Sequence, residues 1–161
     1  MGPLLVNVEQ VVTKTGRGTV ATGKIYRGKI DLEKSKEKMV HILGVNKKPV
    51  TGYITSMEVF REEIKIGLPG YDLGMLIRGV EKSQLSRGDS MCEPGSIKLA
   101  KKVEVKFYCL SADEGGRKKP FQKGYKPQMF VNTLDVTCTF DEIVGVDFVT
   151  PGDYVDAILS F

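Results

Sequence analysis

Residues Asp113–Gln128 carry the side chains best placed by type to do chemistry: Arg117, Lys118, Lys119, Lys123 and Lys126. Three glycines and two prolines separate them. Cations on such a backbone suit phosphate contacts that ignore sequence; the alternative is the solvated charge of an ordinary loop. The glycines and prolines exclude a central strand, so the stretch is expected to be a long basic loop leading into one. The charge is segregated. Residues 101–128 hold eight Lys/Arg against three Asp/Glu, and residues 129–161 hold no Lys/Arg and six Asp/Glu.

Little else points to catalysis. The chain lacks Gly-x-x-x-x-Gly-Lys-Ser/Thr, zinc-ligand spacing and a Gly-x-Ser-x-Gly turn. His41, the one histidine, sits in Met-Val-His-Ile-Leu and reads as a strand residue. Arg87-Gly-Asp89 reads as a turn rather than an integrin motif. Cys92, Cys109 and Cys138 are odd in number and far apart, which fits a reducing compartment better than a disulfide framework. Met1-Gly-Pro-Leu-Leu-Val has neither a signal-peptide nor a myristoylation pattern. No apolar run approaches the ~20 residues of a membrane span, and no membrane partner is expected.

The elements that must position these residues are strands. Val103, Val105, Phe107 and Cys109 alternate with Glu104, Lys106, Tyr108 and Leu110, and Val155, Ala157, Leu159 and Phe161 repeat the pattern. Further strands are expected at Leu4–Thr13, Thr19–Tyr26, Met39–Leu43, Ile54–Phe60, Leu73–Arg78, Gln128–Thr133 and Val136–Phe140. Turns are expected at 16–18, 44–48, 67–70, 93–95 and 151–153. No helical period is sustained. The chain of 161 residues is expected to be all-β, with two β-barrels in tandem over 1–96 and 97–161. A single compact all-β domain is the alternative.

Several tracts resemble translation elongation factor Tu of the bacterial and organellar type. Gly16-Arg-Gly-Thr-Val-Ala-Thr-Gly23 is similar to the opening hairpin of its second domain. Leu76-Ile-Arg-Gly79, Arg87-Gly88 and Glu93-Pro-Gly-Ser-Ile-Lys98 are similar to the end of that domain. Asp113–Arg117, Gly124–Gln128, Asp135-Val-Thr137 and Pro151-Gly-Asp153 resemble the third. Against that pattern the GTP-binding domain and the last strands of the third barrel are missing. A fragment is therefore expected, with no enzyme activity or cofactor of its own; the parent would be a GTPase using GTP and Mg. Open barrel edges would favour self-association.

The resemblance implies a surface for aminoacyl-tRNA. The 3′ end and the amino acid would lie among Glu9, Gln10, Val12, Gly16, Val20, Thr22, Glu58, Arg61, Asp72 and Leu76. Glu58 would lie against the terminal adenine, in the manner of unpaired bases held by flat contacts. Arg61 and Thr22 would flank the ester, and Asp72 would face the ammonium group. Arg87 would lie near the 5′ phosphate. Lys118, Gln128 and Thr137 would meet the T-stem backbone. Without the resemblance, Glu58 and Arg61 read as an ordinary exposed ion pair, and Lys118 and Lys119 as solvated loop.

Gln10, Val12, Lys14, Asp72 and Lys118 depart from the family's usual residues. This points to an organellar matrix such as the mitochondrial one, with bacterial cytoplasm as the alternative. Implied partners are the GTP-binding domain of the same protein, the exchange factor Ts and the ribosome. A rival reading is a protein-interaction module that docks an exchange factor or a ribosomal particle and has lost tRNA binding. An enzyme built on the barrels is disfavoured, because no nucleophile–base pair or metal set is visible.

Overall fold

The computed structural model describes residues 2–14, 16 and 18–161. Of the described backbone, 53% is strand and 2% helix. It clusters into two compact units, Met1–Leu99 with Val131–Leu134, and Ala100–Phe130 with Asp135–Phe161.

In the first unit the strands are β1 (Leu5–Lys14), β2 (Gly18–Arg27), β3 (Ile30–Asp31), β4 (Lys38–Leu43), β5 (Val50–Val59), β6 (Glu62–Ile64), β7 (Ile66–Gly67), β8 (Asp72–Arg78) and β9 (Ser90–Cys92). Six of them run in the order β4-β9-β1-β2-β8-β5, and β4 pairs again with β5, which closes a barrel. β6 extends β5, and β3 pairs with β7.

Alternation fills the interior. Val6, Val8, Ala21, Ile25, Val40, Ile42, Ile54, Met57, Leu73, Met75, Ile77 and Met91 belong to one buried cluster. Each such Val, Ile, Leu or Met side chain contributes about 1.5–3 kcal/mol when fully buried. Two intervals break the period: Val8 to Val11 and Ile54 to Met57 are three residues apart. Each contains a register shift, between Val8 and Gln10 in β1 and between Ile54 and Ser56 in β5. The extra residue returns the next apolar side chain to the core and turns its neighbours outward. At Gly23 the strands pass so close that a β-carbon would stand 2.2 Å from the Asn7 carbonyl oxygen.

The second unit holds β10 (Lys102–Tyr108), β11 (Phe121–Gln122), β12 (Gln128–Val131), β13 (Leu134–Thr137), β14 (Thr139–Ile143), β15 (Phe148–Val149) and β16 (Tyr154–Ser160). The central sheet is β10-β16-β14; β11 pairs with β15 and β12 with β13. Gly124–Pro127 covers the outer edge of β14 through bonds of 2.8–3.0 Å to Phe140 and Cys138. Among the described residues β10 pairs only with β16. Phe107, Phe121 and Phe140 meet edge-on at 4.9–5.9 Å in the core, the geometry aromatic quadrupoles favour.

The structure corrects several expected boundaries. Gln128–Thr133 is not one strand: β12 ends at Val131, and Asn132, at φ 52°, turns the chain into β13. Val136–Phe140 divides into β13 and β14 at Cys138, whose amide bonds instead to the Pro127 carbonyl. Gly67 ends β7, and the turn that follows is closed by Tyr71 N–H to the Leu68 carbonyl at 3.1 Å. The basic stretch is mostly loop but contains β11. In the expected turn at 16–18, Arg17 lies outside the described residues.

Asp89 of the Arg-Gly-Asp tripeptide is buried. It accepts the Ser86 amide at 2.8 Å and pairs with Lys47 at 3.0 Å. That carboxylate is committed to the turn and unavailable for a partner's metal site.

Candidate functional site

Four adjacent strands build a continuous outer face on the first barrel. Their registers align Gln10 of β1 with Thr22 of β2, Gly74 of β8 and Glu58 of β5. The next row is Val12, Val20, Leu76 and Ser56. Both rows lie just past the two bulges, which set the outward direction of their β1 and β5 residues. One row is polar with a glycine in it; the other is largely apolar.

Gly74 is what lets the rows join. A β-carbon there would come 3.0 Å from Glu58 Cγ and 3.3 Å from its Oε1. Without one, the Glu58 side chain lies across the neighbouring strand. Lys14 Nζ reaches it from β1 at 3.3 Å. Lys14, Val20, Ser56, Glu58, Gly74 and Leu76 line a small hollow of about 30 Å³. Glu58 thus pairs with Lys14 rather than Arg61.

A wider cleft of about 260 Å³ adjoins it, lined by Glu9, Thr22, Gly23, Glu58, Phe60, Arg61, Asp72, Leu73 and Gly74. Its wall is the β5–β6 hairpin turn, where Phe60 (φ 49°) and Arg61 (φ 72°) both occupy left-handed space. Such two-residue turns favour Asn-Gly; bulky residues there cost about 1–2 kcal/mol each. Phe60 is 97% exposed, so burial does not repay that cost within this chain.

The structure therefore brings together Glu9, Thr22, Glu58, Arg61 and Asp72 in one cleft, and Val20 and Leu76 beside it, with Gln10 and Val12 in the same rows. Gly16, at φ 74°, lies in the β1–β2 turn and lines neither hollow. Arg87 is exposed in the turn before β9, also outside both. In the second unit Thr137 Oγ1 donates to Gln128 Oε1 at 3.0 Å across the β12–β13 hairpin. Gln128 Nε2 in turn donates to Asp135. Lys118 and Lys119 are exposed in the loop before β11.

Phe60, Ser56 and Gly74 were not singled out by sequence. A glycine inside an alternating strand was the available signal for close approach at 74. Arg117, one of the five basic residues of the loop, lies 4.5 Å from the Tyr125 ring centre and 4.7 Å from that of Phe121. That stacking leaves Lys118, Lys119, Lys123 and Lys126 as the exposed cations of the loop. Among the described residues no cluster of three or more His, Cys, Asp or Glu could hold a metal ion, and no helix is long and apolar enough to cross a membrane.

A closed barrel with an outward four-strand face is followed by a second β unit with an exposed basic loop, an all-β two-unit arrangement. Residues 18–92 match the family described as Elongation factor Tu domain 2, and residues 96–161 match Elongation factor Tu C-terminal domain. The chain belongs to the elongation factor Tu family and carries these two domains in tandem. Both are the family's non-catalytic barrels. β1, with Glu9, Gln10, Val12 and Lys14, lies before the first matched stretch.

Proposed function

We propose that this chain binds aminoacyl-tRNA, with the outer face of the first barrel holding the aminoacylated 3′ end. The observation that carries this reading is the convergence of Glu9, Thr22, Glu58, Arg61 and Asp72 on one cleft, beside the apolar row of buried Val20 and half-buried Leu76. The apolar row offers a flat contact to an unpaired base, and Glu58 offers an acceptor at its edge. Arg61 would lie by the ester, and Asp72 would pair with the ammonium group of the amino acid. Gln128, Thr137 and Lys118 of the second unit would meet the duplex backbone, a mode indifferent to sequence, with Arg87 toward the 5′ end. The GTP and Mg chemistry of the family would belong to a separate GTP-binding domain, and exchange factor Ts and the ribosome would be partners of the assembled factor. The residues of β1 are compatible with an organellar matrix.

The Lys14–Glu58 pair favours a second reading, in which Glu58 is withdrawn from any base and the face docks a protein of the translation machinery. Titration with matched charged and uncharged tRNA separates the two. Binding that depends on the aminoacyl group supports the first. Absence of tRNA binding, with retained binding to exchange factor or ribosomal particles, supports the second.

A further inference from the structure

We propose that Lys14 and Glu58 form a strap over the apolar row of the first barrel, and that Lys14 thereby lowers the affinity of this face for the aminoacylated 3′ end. The registers place the two residues on opposite sides of that row. Lys14 follows Val12 by two residues on β1 and pairs with Gly18. Glu58 follows Ser56 by two on β5, which runs the other way, and aligns with Gly74. A line between them therefore crosses the row, over Val20 of β2 and Leu76 of β8. Lys14 Nζ closes the strap at 3.3 Å from both carboxylate oxygens. Gly18 and Gly74, the residues beside the two anchors, carry no side chain to hold it off the surface.

The row beneath is covered. Val20 lies outside the interior cluster, on the outward row, yet is only 7% exposed; Val12, at the β1 end of the same row, is 37% exposed. The space left between the strap and Val20, Leu76, Ser56 and Gly74 is about 30 Å³, roughly one water molecule's share of the liquid. A nucleobase is many times larger, so stacking on Val20 and Leu76 requires the pair to part. Parting is easy. The two side chains are 46% and 39% exposed, and an exposed pair of this kind holds the strap shut by at most about fivefold. The strap weakens entry without blocking it, and its opening frees the Glu58 carboxylate at the edge of the incoming base. This role for Lys14 rests on the tRNA-binding reading of the first barrel.

The test is titration of the full chain, and of its K14M, K14R, E58A and K14M/E58A variants, with matched charged and uncharged tRNA at one salt concentration. K14M keeps a long stem and removes the charge. It is expected to bind charged tRNA about two- to fivefold tighter than the parent. K14R keeps the pair and is expected to show no gain. In the E58A background nothing holds Lys14 over the row, so adding K14M is expected to bring no gain there. Unfolding scans check that each variant folds. Weaker binding by K14M in both backgrounds overturns the strap and makes Lys14 an RNA contact. Unchanged binding by K14M, or an equal gain in the E58A background, overturns it as well. In those cases a parent that still prefers charged tRNA keeps the reading of the face intact. A parent with no preference for the charged form overturns that reading, and the role of the strap with it.

Discussion

Lys14 Nζ on β1 lies 3.3 Å from Glu58 Oε2 on β5, reaching it over the outer ends of β2 and β8. Their side chains are 46% and 39% exposed, so the pair contributes only about 0–1 kcal/mol to stability. Its interest is positional, because it fixes the carboxylate at the junction of the apolar row and the polar cleft. Replacing Glu58 with Ala should therefore leave thermal unfolding nearly unchanged. The same variant should weaken binding of charged tRNA about five- to tenfold, or roughly 1 kcal/mol for one lost contact. Unfolding scans and tRNA titration on the same preparation check both halves.

Gly23 and Gly74 separate packing from function. Gly23→Ala would drive a β-carbon to 2.2 Å from a backbone oxygen, and a backbone oxygen in a closed barrel cannot step aside. A loss of about 2–4 kcal/mol is expected in denaturant unfolding. At Gly74 the obstructing atoms belong to the flexible Glu58 side chain, at 3.0 Å and beyond. Gly74→Ala should cost under about 1 kcal/mol while displacing Glu58, so charged-tRNA binding should fall with stability largely kept.

The Phe60–Arg61 turn should trade stability against binding. Replacing both residues with Asn-Gly supplies the pair that this backbone favours. A gain of about 1–2 kcal/mol is expected in unfolding, together with weaker tRNA binding from the loss of Arg61. A destabilised Asn-Gly variant would show that the turn is held by packing instead of being strained.

Much of this was legible in sequence, and the exceptions have physical causes. The period-two runs located the long strands because one face of each is buried. Two-residue strands such as β3, β7, β11 and β15 display no period, so pattern could not find them. The bulges in β1 and β5 interrupt alternation, and they are what direct Gln10 and Glu58 outward. The β12–β13 turn falls inside the expected strand because Met129, Val131 and Thr133 keep a strand-like alternation through Asn132. The expected cleft residues converge, yet Gly74, which makes room for Glu58, carries no side chain to attract notice.

Acid should act on the second unit through two carboxylates. The Ser111 amide, at 2.9 Å, and then the Tyr108 hydroxyl, at 2.7 Å, hold Glu114 below its ordinary value. Lys102, at 2.9 Å, and then Ser160 do the same for Asp141. Because both folded values are lowered, their stabilisation is complete above the unfolded range of about pH 4. It is lost as pH falls through the lower folded values. Glu114→Gln and Asp141→Asn should each flatten the pH dependence of unfolding below about pH 4 and leave it unaltered at neutrality.

The three thiols should be silent in the folded protein. Cys92, Cys109 and Cys138 are buried and unpaired, and burial pushes each above the usual thiol range. Alkylation at neutral pH should be slow until denaturant is added, then proceed at all three. Mass spectrometry of the labelled chain reads the count directly.

The most direct measurement of the central claim is the rate at which an aminoacyl-tRNA ester hydrolyses in the presence of this chain. A 3′ end seated against Glu58, Arg61 and Asp72 is shielded from water, so excess protein should slow deacylation. E58A and R61A should each lose most of that protection. Tight tRNA binding with an unchanged hydrolysis rate, or protection that survives both substitutions, would contradict the assignment of this face to the aminoacyl end.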